Sequence, residues 1–214
     1  MMIGMLPESI DMQQLLFYFD LVGVFVFAVS GALAAVRKGM DVFGIVVVSL
    51  MPAVGGGTLR DLVLGEPVFW VQNTASIWAA LAASALTFFV AGKLESRMKW
   101  LIWADAAGLA LFCVVGAEKA LAVSGSPMIA VMLGVATGVA GGIIRDIICN
   151  EIPLVLRDDQ EIYATAAFVG AGLYCTIMYI AAVPVYALWA GMAAAFITRA
   201  AAIRLGWRLP KALY

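Results

Sequence analysis

Histidine is absent from the 214 residues, cysteine occurs three times, and charged side chains make up 13% of the chain. Without histidine the usual proton shuttle near neutral pH and the commonest metal ligand are both missing. Cys113, Cys149 and Cys175 fall within or beside apolar runs at no metal-ligand spacing, so they read as small core hydrophobes. A net charge of −1 with no Lys/Arg block removes the basic stripe that nucleic-acid binding needs to displace counterions. Met1 to Gln14 holds Glu8 and Asp11 but no basic residue. It therefore lacks the positive region of a signal peptide, and the first apolar span is expected to be retained.

What fills the chain instead is apolar sequence: 64% hydrophobic residues and a mean hydropathy of +1.03. That composition predicts an all-α integral membrane protein. Apolar length and breaks at charged or Gly/Pro clusters predict seven transmembrane helices at about 13–36, 43–64, 74–92, 101–123, 127–150, 161–181 and 184–203. The sixth break, Ala182-Val183-Pro184, is short and apolar, and by itself is compatible with a kink inside one long helix. Charge argues for separate helices. Seven spans put Arg37, Lys38, Lys93, Arg97, Lys99, Arg157, Arg199, Arg204, Arg208 and Lys211 on one side, against Lys119 on the other. Because Lys and Arg are retained in the cytoplasm, the amino terminus is expected outside and the carboxyl terminus inside a cell (inner) membrane. Residues 1–203 then form one transmembrane domain, and 204–214 a basic cytoplasmic tail.

The chain also repeats itself. At an offset of 85, residues 20–66 align with 105–151 without a gap, pairing Asp20 with Asp105, Gly23 with Gly108, Phe27 with Phe112, and Gly56-Gly57-x-x-Arg60-Asp61 with Gly141-Gly142-x-x-Arg145-Asp146. Charged pairs inside apolar segments are not chance matches of small residues. Each unit holds three helices (repeat one about 13–92, repeat two about 101–181). An odd number of crossings turns the second unit over, so the repeats are expected to be inverted, with a seventh helix outside them. Inverted repeats commonly place a route or site for a small polar solute at their interface.

Within the repeated motif, Gly55-Gly56-Gly57 follows Pro52 in the second helix, and Gly141-Gly142 follows Gly134 and Gly138 in the fifth. Glycine costs about 1 kcal/mol against alanine in a helix interior, and proline about 3 kcal/mol. Such clusters predict kinks that free backbone carbonyls toward a hydrated path. Close helix packing through small residues is the competing reading. Thr58 and Thr137 could present hydroxyls to an ion or bond their own backbone. Six charges, Asp20, Arg60, Asp61, Asp105, Arg145 and Asp146, lie at membrane depth, where each needs a partner or water. Arg60 lies about 26 Å along a helix from Phe43. That depth predicts Asp20–Arg60 and Asp105–Arg145 pairs, with Asp61 and Asp146 less neutralised at two mouths. Lys119 reads as a helix-end partner of Glu118 rather than a gate. An acid–base dyad of Asp61 and Asp146 is ruled out by inversion, which separates them, so no enzyme is expected.

These residues resemble a known family. Gly55-Gly56-Gly57-Thr58-Leu59-Arg60-Asp61 and Gly141-Gly142-Ile143-Ile144-Arg145-Asp146, in duplicated three-helix units followed by a seventh helix, are similar to the prokaryotic branch of the trimeric intracellular cation (TRIC) channels. The likeness covers about residues 15–203. It implies a homotrimer in which each protomer has a pore between kinked second and fifth helices, passing K⁺ and less selectively Na⁺. Gly55, Gly56, Gly57, Gly141 and Gly142 would form the bends, and Arg60, Asp61, Arg145 and Asp146 would surround the path. No cofactor is implied beyond permeant K⁺ or Na⁺ and bound membrane lipid, and no soluble partner. Animal members carry a Lys-Glu-Val segment, which the fifth helix here does not have. A secondary transporter for a small zwitterion such as glycine shares the same inverted architecture and is the alternative reading.

Overall fold

Long apolar runs that end at capping residues build a helical bundle in the computed structural model, which describes residues 12–94, 96–157 and 162–207. The helices are α1 (Met12–Arg37), α2 (Val42–Leu64), a short α3 (Phe69–Gln72), α4 (Ala75–Val90), α5 (Arg97–Ser124), α6 (Pro127–Ile148), α7 (Ala164–Ala181) and α8 (Pro184–Leu205). Seven of them are long and apolar enough to cross a membrane, α4 with the 3₁₀ turn that continues it. Asp41, Ser96 and Ser126 accept from the backbone N–H groups of Gly44, Lys99 and Ile129, satisfying first-turn donors of α2, α5 and α6. Ala182 ends α7 in the left-handed conformation and Pro184 opens α8, so the sixth connection separates two helices. Most of the tail, from residue 208, lies outside the described residues.

The centre of the bundle is the crossing of α1 with α5. There the Phe27 and Phe112 rings stack at 5.4 Å, and each lies over the other repeat's glycine. Gly23 faces Phe112, and Gly108 faces Phe27. Both glycines are needed because a methyl group would strike a ring. The second crossing, of α2 with α6, follows the same exchange. A Cβ on Gly56 would enter the carbonyl of Thr137, and one on Gly141 would sit 2.6 Å from the carbonyl of Pro52. Pro52 and Thr137 are themselves 85 residues apart, as are Gly56 and Gly141. The contacts of these four glycines therefore come as exchanged pairs, the relation that a two-fold axis between repeats produces. The neighbours are backbone atoms, which cannot rotate away, so the close approach depends on glycine.

Helical assignment runs unbroken through both glycine clusters, from Val42 to Leu64 and from Pro127 to Ile148. The carbonyls disturbed lie one turn earlier. Pro52 has no N–H for the Val48 carbonyl, and Gly31 of α1 closes against that oxygen. At the equivalent place in α6, Thr137 Oγ1 donates to the Leu133 carbonyl at 2.6 Å. Proline in one repeat and a back-bonded threonine in the other thus perturb the same carbonyl position, a known cause of helix bending. α8 packs on α5 and α7, outside the paired crossings.

A charged buried cluster along the α2–α6 axis

The repeated Arg-Asp pair closes each of its helices in the same way. Asp61 Oδ2 accepts from the backbone N–H of Phe69 at 2.9 Å, and Asp146 Oδ2 from that of Leu154 at 2.8 Å, again 85 residues apart. Each aspartate thereby ties the helix to a short returning turn, α3 in one repeat and the 3₁₀ turn Leu154–Leu156 in the other. The chain reverses at Gly65 (φ 71°) and at its counterpart Asn150 (φ 52°), residue types that tolerate the left-handed region. Arg60 Nε reaches Asp61 Oδ1 at 2.8 Å, and Arg145 Nε reaches Asp146 Oδ1 at 2.8 Å. Four charged groups that are at most 4% exposed are thus paired within their own motifs.

Beyond that shared core the halves differ. Arg145 also donates through Nη1 to Asp105 Oδ1 at 2.6 Å and to Ser30 Oγ, so one guanidinium holds α1, α5 and α6 together. The expected Asp105–Arg145 pair is present. The expected Asp20–Arg60 pair is not formed: Arg60 turns to Asp61, and Asp20 Oδ1 and Arg60 Nη1 are buried with no hydrogen-bond partner among the described residues. Nor is Asp61 the less neutralised carboxylate the sequence led us to expect. It is fully buried and accepts from Arg60, from Phe69 N–H and from Lys119 Nζ at 2.8 Å. Asp61 itself fills the role foreseen for Asp20, and Lys119, expected beside Glu118, is a second cation on Asp61. Asp146 is likewise buried and paired rather than standing open at a mouth.

A cavity of about 450 Å³ opens on the Asp61 side, lined by Asp20, Arg60, Phe69, Gln72, Glu118 and Lys119 among others. Both signs of charge meet in it. On the Asp146 side, Asp105 Oδ2, Arg145 Nη2 and Tyr163 Oη are buried without a partner among the described residues. Polar atoms of this kind are normally satisfied by ordered water. Between the two sets lies the glycine crossing. Gly55 faces Ile144, Gly57 faces the Phe69 ring, and Gly142 sits under Tyr163 Oη and Asp105, so these glycines make room for side chains of the polar sets and of the crossing. Thr58 Oγ1 donates to the Val54 carbonyl at 2.7 Å and accepts from Trp70 Nε1 at 2.9 Å. Thr58 and Thr137 thus both bond their own backbone, and Thr58 Oγ1 has one lone pair further engaged by Trp70.

Lys119 and Ser30 are partners that the repeat does not announce. Their counterparts at offset 85 are Ala34 and Val115, so duplication alone cannot find them. Near the Asp146 end, Glu151 collects Arg37 at 3.3 Å, Lys38 at 3.1 Å and Arg157 at 2.8 Å. Partial burial pushes its carboxyl up, but these cations outweigh it and hold the net position below the usual glutamate range. The contact fastens the α1–α2 turn to the segment after α6.

Comparison with known proteins follows the same architecture. A family profile described as "Glycine transporter" matches residues 17–92 and 102–179, one stretch in each repeat. The chain is 43% identical over 199 residues to the "UPF0126 inner membrane protein YadS" of Escherichia coli (strain K12), covering 92% of this chain and 95% of that one. Among solved structures, the TRIC trimeric intracellular cation channel orthologue from Rhodobacter sphaeroides superposes with a TM-score of 0.87 at 47% identity, covering 91% of this chain and all of that one (100%). A prokaryotic TRIC channel in 0.5 M KCl gives 0.85 at 28% identity, over 92% and 100% of the two chains. A profile that matches both repeats, and 47% identity to a solved channel over nearly the whole length of both chains, identify the chain as a member of the trimeric intracellular cation channel family.

Proposed function

We propose that the protein is a passive monovalent-cation channel, passing K⁺ and less selectively Na⁺, with one route per protomer along the α2–α6 axis. The observation that carries this reading is the string of buried polar atoms with no hydrogen-bond partner among the described residues on both sides of the glycine crossing: Asp20 Oδ1 and Arg60 Nη1 at one end, Asp105 Oδ2, Arg145 Nη2 and Tyr163 Oη at the other. Such atoms call for water, and water on both sides of a narrow crossing is the start of a permeation route. Kinship with solved proteins named as cation channels supports the same reading. Nothing in the route asks for a cofactor, and its chemistry is that of passage rather than catalysis.

The Asp61 end faces outward and the basic end, with Arg37, Lys38, Lys93, Arg97 and Arg157, faces the cytoplasm, by retention of positive charge. The two-fold axis then lies in the membrane plane. Lys119, held on Asp61 and lining the outer cavity, closes the outer end in this conformation, while the glycine crossing sets the constriction. The trimer named for the solved relatives is the assembly proposed for this chain, bounded by bilayer lipid.

Reversal potentials in planar bilayers under K⁺, Na⁺ and Cl⁻ gradients test the function. Discrete currents reversing near the cation potential are expected. The second reading, a carrier for a small zwitterion, draws on the outer cavity's unpaired carboxylate and guanidinium atoms. Saturable concentrative glycine uptake without unitary current would establish that reading in place of the channel.

A further inference from the structure

An apolar groove of about 520 Å³ lies apart from the charged axis, at the basic end of the bundle between α1, α4 and α5. Its walls include Val29, Leu86, Val90, Trp100 and Trp103, and almost no polar surface lines it. The volume is that of a ligand-sized site, but the lining offers no hydrogen bonds to orient a polar solute. Cations ring it instead. Arg97 Nε donates to the carbonyl of Ala91, a lining residue, at 3.1 Å, which fixes the guanidinium at the rim. Arg204 stacks its guanidinium 5.5 Å from the Trp103 ring, and Lys99 is exposed next to Trp100 in α5. The connection from Lys93 to Lys99 carries three basic residues and Glu95, a net +2, and Glu95 itself lies outside the described residues. Trp100 is 56% exposed, as an interfacial tryptophan is.

An apolar slot with a cationic rim, placed where tryptophans mark the membrane interface, is complementary to a molecule with an apolar chain and an anionic head. Basic pockets between transmembrane helices on the cytoplasmic side bind acidic headgroups for this reason. We propose that the α1–α4–α5 groove seats an acyl chain of an anionic phospholipid, whose phosphate is held by Arg97, Lys99 and Arg204. A zwitterionic lipid would fill the slot equally well but gain less from the rim. Each basic residue near the surface adds about fivefold in affinity for an acidic lipid.

Tryptophan fluorescence of the intact protein in vesicles reads the site directly. Phosphatidylglycerol or phosphatidylcholine with brominated acyl chains, each at the same low fraction in unbrominated phosphatidylcholine, quenches a tryptophan that it touches. Stronger quenching by the brominated phosphatidylglycerol is expected. The excess should disappear in Trp100→Phe/Trp103→Phe, which removes the reporters, and shrink several-fold in Lys99→Gln/Arg204→Gln and in the groove-filling Val29→Phe. Equal quenching by the two lipids in the wild-type protein overturns the proposal without any variant. So does an excess that survives loss of Trp100 and Trp103. Quenching by neither lipid, with disulfide cross-linking of Ala104→Cys between protomers, would assign the groove to a second copy of the chain.

Discussion

Exchanging Lys119 for methionine is expected to raise cation conductance at low voltage by about tenfold. The Lys119 ammonium lies 2.8 Å from Asp61 Oδ1 and lines the cavity that the proposed route enters. A fixed positive charge about 4 Å from a cation costs roughly 4 kcal/mol at the effective dielectric of a protein surface. The lysine side chain is 28% exposed, so water screens part of that, leaving an effect nearer 1.4 kcal/mol, which is one factor of ten. Methionine keeps the length and apolar stem while removing the charge, and Asp61 retains Arg60 and the Phe69 N–H, so the site survives the exchange. Lys119→Arg should stay closed. Macroscopic and single-channel current from all three proteins, at equal reconstituted amount, checks the prediction. A methionine variant that folds and conducts no better than wild type would remove Lys119 from the path.

The second large effect is on folding and falls on the other half. Arg145 is fully buried and serves Asp105, Asp146 and Ser30 together. Taking it away leaves two buried carboxylates with no counter-charge among the described residues, and breaking a buried pair in this way costs about 3–5 kcal/mol. Arg145→Met should therefore lose most of its thermal stability in detergent. Arg145→Lys should not rescue it, because one ammonium cannot reproduce a guanidinium fork directed at several partners. Arg60→Met should be milder. Its one carboxylate partner keeps Lys119, and its Nη1 has no hydrogen-bond partner to lose among the described residues. Melting temperatures of the three variants decide this, and an Arg60 variant that proves the more damaged would contradict it.

This imbalance between halves marks where sequence stopped being informative. Span length and the loop charges place seven helices within a few residues of those observed, because apolar length at 1.5 Å per residue is a direct measure of the bilayer. The offset of 85 carries more than expected. Contacts that the sequence reading did not anticipate also recur at it: those at Gly56 and Gly141, the stacked Phe27 and Phe112, and the matching turns after Asp61 and Asp146. Depth arithmetic also finds the Asp105–Arg145 pair. It misses the Arg60–Asp61 contact, since neighbours in a helix point to different sides and would not be paired by spacing. A long guanidinium can fold back along its own helix where a short carboxylate on α1 does not reach it. Lys119 was hidden for another reason. A residue without a counterpart in the other repeat breaks the symmetry from which the rest was inferred. The glycines were read as hinges, and the contact that they visibly serve is the close crossing of α2 with α6.

The claim that the route runs inside each protomer is open to one direct measurement. Gln72 lines the cavity beside Lys119 and is exposed, whereas the three native cysteines are buried, so Gln72→Cys offers one accessible thiol per route. Application of a cationic thiol reagent from the outer side during single-channel recording should reduce K⁺ current in separate steps, one for each protomer of the proposed trimer, with equal loss at each step. Current that is untouched by modification of Gln72→Cys, or that vanishes entirely in one step, would contradict a separate route in every protomer.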